Sequence, residues 1–366
     1  MTILYFGPID WDFIKQRPQH IVESLSRSHE IHYIQPFGLR GLRLADTKRI
    51  IRRFRGLFRP SSAAGIPVRN LFFVPSRSRR YDALNATLLR RQLASLMTDQ
   101  TVVWITTPSA LIPRLLEDMP RRALIYEMMD DYGRIHAAHA SEIEQVENYL
   151  LGKADLVIVT SDLLLEKAGR MRKGKRTVLI GNGVDYGFFD SGTLPKPREL
   201  DAMKTVAGYV GAIDHWMDFE TVVYLADMMR HVEFVFVGPV RVAHAPKRPN
   251  IHYLGRQPYE RIPQFCAHFD VCLIPFQTGG LADTVNPVKI YEYFSLGKPV
   301  VASRMKELEQ FDDLVHLASG REEFREGLSA ALGDKSAAAV RRRKEIARTN
   351  DWSIKVARVE KELLLL

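Results

Sequence analysis

Thirteen short runs of β-branched, aromatic and aliphatic residues punctuate the 366-residue chain, with helical stretches between them. Seven lie at 3–7, 31–35, 71–75, 102–106, 124–127, 156–160 and 178–180, and six at 206–211, 232–238, 251–254, 271–275, 300–303 and 315–318. Many are continuously apolar, not alternating, which is the pattern of parallel strands covered on both faces. Strand–helix alternation sustained along a chain predicts α/β layers. The series restarts after 190–197, Asp-Ser-Gly-Thr-Leu-Pro-Lys-Pro, whose Gly, Pro and Ser content suits a linker. The expected architecture is two doubly wound, Rossmann-like parallel-sheet domains facing an interdomain cleft, one over 1–195 and one over 200–350. A helix over 351–366 is expected to pack back on the first. Open α/β sheets bind ligands at the C-terminal ends of their strands, so the cleft is the expected ligand site.

The dinucleotide fingerprint is absent from the first strand–turn–helix unit. Gly7-Pro8-Ile9-Asp10-Trp11 follows the first strand where Gly-x-Gly-x-x-Gly is required, and Gln35-Pro36 ends the second strand without an acidic residue for a ribose. A P-loop is missing too. The 46% apolar content is that of a packed protein, and no apolar run approaches the ~18 residues of a membrane-spanning helix. The opening Met1–Gly7 reads as a core strand and not as a signal peptide. The two cysteines, Cys266 and Cys272, form neither a disulfide framework nor a zinc site, which fits a reducing cytoplasm. The net charge of +9 is uneven: 28 Lys and Arg stand against 20 Asp and Glu over 1–190, and 24 against 23 over 191–366. Eight basic residues and one acid, Asp46, crowd into 40–59 among interleaved apolar residues. That pattern suits an anionic membrane surface or an anionic substrate, and equally a solvated basic face. Nucleic acid is not expected, since no stacking motif or zinc-finger spacing accompanies the charge.

Most of the chemistry lies in 279–303. Gly279-Gly280 gives a flexible approach loop, Asn286 and Pro287 suit the N-cap and first position of a helix, and Gly297 and Pro299 close it. A helix start at the carboxyl end of a sheet favours an anion through its free amides and its dipole. Lys289 in the first turn opposes that dipole, so a diphosphate ligand would explain it. Glu292, one turn deeper on the same face, is suited to two ribose hydroxyls. The alternative is an ordinary surface turn with an exposed Lys/Glu pair.

This segment, with 206–211 and 251–276, resembles the C-terminal domain of GT-B glycosyltransferases, especially the family-4 group and the teichuronic-acid-type transferases within it. In that family a Glu-x7-Glu pattern precedes Gly-x-Pro-Val-Val. The second Glu matches Glu292, whereas Thr284 stands at the first. The loop after the first strand of the second half lacks the family's Arg and Lys and reads Gly211-Ala212-Ile213-Asp214-His215-Trp216-Met217-Asp218. The expected donor site comprises Lys289, Glu292, Asn286, Val288, Gly211 and Asp214, with packing at a domain hinge the equal alternative for Asp214. Asp10-Trp11-Asp12, Arg17-Pro18-Gln19-His20 and the segment 124–131 are similar to polysaccharide transferases, including the inverting xanthan-type glucuronosyltransferases. Their catalytic aspartate matches Asp130 and their nucleotide-site lysine matches Lys289. Gly181-Asn182-Gly183-Val184-Asp185 is similar to the interdomain signature of family 4.

Asp130 or Asp131, at a strand end, is expected to act as general base on an acceptor hydroxyl; a helix N-cap pair is the competing reading. Asp12, Arg17 and His20 form the expected acceptor side, against an ordinary exposed helix start. His136 and His139 have metal-ligand spacing, but without a carboxylate an exposed helix face is preferred. The resemblance implies no metal and no cofactor, with a nucleotide-diphosphate sugar, UDP-sugar first, as co-substrate. The expected partners are that nucleotide sugar, a polyprenyl-linked or glycolipid acceptor and an anionic membrane surface. The expected location is the inner face of the cytoplasmic membrane. The expected function is sugar transfer in bacterial surface polysaccharide or glycolipid synthesis. A nucleotide-sugar epimerase of the same fold and a basic membrane scaffold are the alternatives.

Overall fold

A computed structural model describes residues 1–37, 61–63, 65–74, 81–117, 119–135, 137–172 and 174–366. The basic stretch 40–59 and His136 lie outside the described residues. The chain divides into two compact units, Met1–Gly181 with Val356–Leu366, and Asn182–Lys355.

The first unit is built on β1 (Thr2–Phe6), β2 (Glu30–Ile34), β3 (Ser61–Ala63), β4 (Ile66–Arg69), β5 (Thr101–Ile105), β6 (Ala123–Met128), β7 (Leu156–Val159) and β8 (Thr177–Leu179). Their order is β3-β4-β2-β1-β5-β6-β7-β8, and every neighbouring pair is parallel except β3 with β4. Every residue of β5, β6 and β7 is buried, as continuous apolar runs demand of strands covered on both faces. The strand expected at 71–75 does not form over the described 71–74. Helix Asp82–Leu93 supplies side-chain amides to that backbone instead: Asn85 bonds both the N–H and C=O of Val74, at 2.7 and 2.9 Å, and Gln92 both those of Phe72, at 2.8 Å each. With its polar groups satisfied this way, the segment needs no ladder. The third parallel position belongs to β4, whose Ile66 and Val68 are buried in alternation.

The second unit holds β9 (Val206–Val210), β10 (Glu233–Val237), β11 (Ile251–Gly255), β12 (Val271–Ile274), β13 (Val300–Ser303) and β14 (Val315–Ala318). All its pairs are parallel, in the order β11-β10-β9-β12-β13-β14. Counted from β9 this is 3-2-1-4-5-6, the Rossmann order, whose switch point lies between β9 and β12. The two strands part early: only Ala207 and Gly208 of β9 pair with β12. The amide of Val210 donates instead to the Tyr293 hydroxyl at 3.0 Å, so helix Val288–Ser295 fills the gap that the diverging strands leave.

The division falls after Gly181 and not in the Gly/Pro-rich stretch near 190–205. Phe189 and Leu200, on either side of that stretch, are fully buried in the second core and hold it there. The terminal helix Trp352–Leu363 leaves its first turn in the second unit, where the Trp352 amide donates to Val184 O at 2.9 Å. From Val356 on it belongs to the first, where Arg358 donates to Leu179 O at 3.0 Å and Glu362 pairs with Arg176 at 2.6 Å.

Candidate active site

In the second unit the carboxyl ends of β9 and β10 run into glycines that cannot be replaced freely. Gly211 has φ 145°, and a Cβ there would lie 2.3 Å from Lys289 Cε and 2.8 Å from its Nζ. Gly238 has φ 152°, and a Cβ there would lie 1.9 Å from Gly211 O. Only glycine lets the two turns cross so closely and lets the Lys289 side chain lie over the β9 turn. Lys289 Nζ stands 5.7 Å from the centroid of the Tyr209 ring and has no ion pair among the described residues. Glu292 is half-buried, and burial raises its carboxyl above the ordinary value, opposed by the nearby Lys289. It too has no ion pair among the described residues. Although three residues apart on one helix face, the two side chains do not close on each other, so both keep their charge available to a ligand.

The helix begins one residue later than expected. Its N-cap is Pro287, with no side-chain cap, and Val288, half-buried, is its first residue. Asn286 is turned inward: it is 5% exposed, its Nδ2 donates to Glu307 Oε2 at 3.0 Å, and its Oδ1 accepts the Asn182 amide at 3.2 Å. It therefore fixes the approach loop. Asp214 accepts from the His215 amide at 2.7 Å and stands 2.8 Å from its Nδ1, and its other oxygen lies 3.9 Å from Arg241.

In the first unit the adjacent aspartates separate by environment. Asp131 accepts Lys167 Nζ at 2.9 Å and stands 3.3 Å from Arg134 Nε, and Lys167 also reaches Glu147 at 2.8 Å. Asp130, in the loop after β6, is half-buried and has no ion pair among the described residues. Burial, and secondly the charge of Asp131, push its carboxyl up to about 6. A carboxylate poised near neutrality is suited to accept a proton; one held by two cations is not.

Arg17 is drawn inside, 4% exposed, where it donates to Glu127 Oε1 at 2.7 Å and to Gly181 O at 2.8 Å. Glu127, fully buried in β6, also accepts from the Tyr5 hydroxyl at 3.0 Å and the Trp104 indole at 2.9 Å. The expectation missed this carboxylate; its signal was a charge inside the apolar run 123–128. His20 is 8% exposed, and burial followed by the charge of Lys15 lowers it to about 3, so it is neutral near pH 7. Asp12 is exposed in the loop after β1. A small depression lined by Phe6, Gly7, Pro36, Phe37, Thr107 and Ser109 marks the switch point between β1 and β5. His139 is exposed, and the described residues contain no group of three His, Cys, Asp or Glu able to hold a metal ion. No helix among them is long and apolar enough to cross a membrane.

Residues 204–338 match the family described as glycosyl transferases group 1. A curated relative, the TuaH protein of Bacillus subtilis (strain 168), provisionally assigned as a teichuronic acid biosynthesis glycosyltransferase, is 24% identical over 226 residues. That match spans 58% of this chain and 57% of the relative. Among solved structures, sucrose-phosphate synthase from Thermosynechococcus elongatus superposes with a TM-score of 0.70 at 14% identity, over 100% of this chain and 98% of that one. HepE of Anabaena, solved in complex with UDP-glucose, gives 0.71 at 15% identity over 100% of both chains. The chain has the GT-B fold.

Proposed function

We propose that this chain, with its GT-B fold and a glycosyl transferases group 1 segment over 204–338, is a glycosyltransferase that moves a sugar from a nucleotide-diphosphate sugar to an acceptor hydroxyl. One observation carries the reading. Lys289 and Glu292 stand together at the open end of a Rossmann-ordered sheet, neither in an ion pair among the described residues. Lys289 and the free amides at the helix start hold the diphosphate and stabilise the charge that develops on it as the glycosidic bond breaks. Glu292 accepts the ribose hydroxyls. Asp130 takes the proton of the attacking hydroxyl, and attack from the face opposite the leaving nucleotide inverts the anomeric centre. The lysine and the helix dipole meet the diphosphate charge, so the reading assigns no metal. Val288 and Gly211 line the site, and Asp214 supports it.

UDP is the favoured nucleotide, since HepE was solved with UDP-glucose. A polyprenyl-linked or glycolipid acceptor of a surface-polysaccharide pathway, met at the inner face of the cytoplasmic membrane, is the favoured partner. The relationship to TuaH and the basic, apolar composition of 40–59 support it. The test is an assay of the purified chain with UDP-, GDP-, ADP- and CDP-sugars, with and without a polyprenyl-diphosphate-sugar acceptor. Nucleotide release that requires acceptor is expected with one donor, and proton NMR of the product reads the anomeric configuration. An epimerised donor without transfer would make the chain an epimerase, and no nucleotide binding at all would make it a scaffold.

A further inference from the structure

Lys289 reaches its position by lying along a seat built from β9. The Tyr209 ring is its floor, with Nζ 5.7 Å from the centroid, within the range at which an aromatic face attracts a cation. The Gly211 turn is its side, open only because that residue has no Cβ. The ring itself cannot swing. It is 1% exposed, packed tilted against Phe236 at 6.2 Å and edge-on to Phe276 at 6.0 Å. Its hydroxyl donates to Ala212 O at 3.2 Å. A lysine side chain is flexible and loses conformational freedom when a ligand fixes it. One already laid on a fixed ring loses less.

We infer that Tyr209 is a positioning residue, which holds the Lys289 ammonium over the Gly211 turn in the ligand-free protein so that a diphosphate meets a cation already in place. The inference rests on the diphosphate reading of Lys289. It assigns to Tyr209 no contact with substrate, and it locates the effect in the ring face, not in the hydroxyl.

The seat and its use are tested separately. Reductive ¹³C-methylation of the ligand-free chain, with the Lys289 signal identified by its loss in K289M, reads the ring. The signal is expected upfield in the native chain and in Y209F, and at the ordinary lysine position in Y209L. An ordinary position in the native chain removes the seat, whatever the nucleotide does. UDP titration by calorimetry reads its use. Y209L is expected to weaken UDP about three- to tenfold and Y209F less than twofold, with Y209L having no further effect in a K289M background. An equal loss in that background shows that Tyr209 acts through the fold and overturns the inference. Unchanged UDP binding in K289M alone sinks the diphosphate reading and this use of the seat with it, while the methyl shift still shows the seat itself. Should Y209L fail to fold, Y209M removes the ring face at similar bulk; loss of the upfield signal and weaker UDP binding are then expected together, and an unmoved signal overturns the seat.

Discussion

At the scale of single residues, charge without a partner is what separates function from framework. Asp130 and Asp131 are chemically identical neighbours, and apart from the resemblance, which matched Asp130, the sequence offered no physical ground to choose between them. The choice came from Lys167 and Arg134, residues 36 and three positions from Asp131, which occupy its carboxylate. Asp130→Asn should lower transfer by about 10²–10⁴-fold and leave UDP affinity unchanged, as removal of a general base does. In the native enzyme kcat/KM should rise with pH through about 6, where the Asp130 carboxyl ionises. Stability should move the other way. A carboxyl raised in the folded state favours folding while protonated, so its ionisation between pH 4 and 6 opposes the fold. Asp130→Asn should therefore stabilise the fold at pH 7.5 relative to native, by on the order of 3 kcal/mol and read as a higher melting temperature, and the gain should vanish at pH 4. A gain at both pH values would contradict that linkage. Lys289→Ala should weaken UDP ten- to a hundredfold, the loss of one charge-assisted bond of about 1.5–3 kcal/mol. Glu292→Gln should weaken UDP but leave inorganic diphosphate binding as before, since its proposed contact is to ribose. Calorimetry with the two ligands separates these roles. Lys289 and Glu292 stood out in the sequence because a lysine in the first turn of a helix contradicts the dipole, and the structure places both in that helix. Arg17 and His20, in the helix Arg17–Leu25, and Asn286, before the helix Val288–Ser295, were expected to face a ligand, whereas their side chains are buried.

At the scale of elements, strands were read well where both faces are covered and poorly where a side chain could replace the ladder. The runs at 102–106, 124–127 and 271–275 became β5, β6 and β12 within a residue or two. The run at 71–75 had the composition of a strand, but Asn85 and Gln92 took its described backbone, a pairing visible only once the helix is placed. The helix Val288–Ser295 meets the sheet through its buried apolar side chains and through the Tyr293 hydroxyl, which accepts the Val210 amide. Tyr293→Phe leaves that buried amide unsatisfied and should destabilise the second unit by about 1–3 kcal/mol. Urea unfolding should show a lower midpoint at an unchanged slope; an unchanged midpoint would mean that water replaces the hydroxyl.

At the scale of the whole molecule, two sheets were legible because the apolar runs come in two series, but the point of division was not. Loop composition marked 190–205, whereas burial of Phe189 and Leu200 moved the break to Gly181. Replacing Arg49, Arg52, Arg53 and Arg55 by Gln should release the chain from anionic liposomes, since each basic residue near such a surface contributes about 1 kcal/mol. Turnover of a soluble acceptor analogue should survive. Equal loss on soluble and lipid-linked acceptors would place these arginines in the acceptor site. Truncation after Lys355 removes Val356, Val359 and Leu363, all buried, together with the bonds to Arg176 and Leu179. The truncated chain should be cut by protease in 1–181 faster than the native one, with the second unit resisting as before.

The return of Val356–Leu366 to the first unit also sets a timetable for synthesis. The sheet that leaves the ribosome first is the one completed last, because the whole of Asn182–Lys355 must emerge before its final helix exists. Until then the first unit lacks the buried side chains of Val356, Val359 and Leu363 and the bonds to Arg176 and Leu179 beside β8. A nascent chain of this protein thus carries a marker that stays until the helix Trp352–Leu363 has formed.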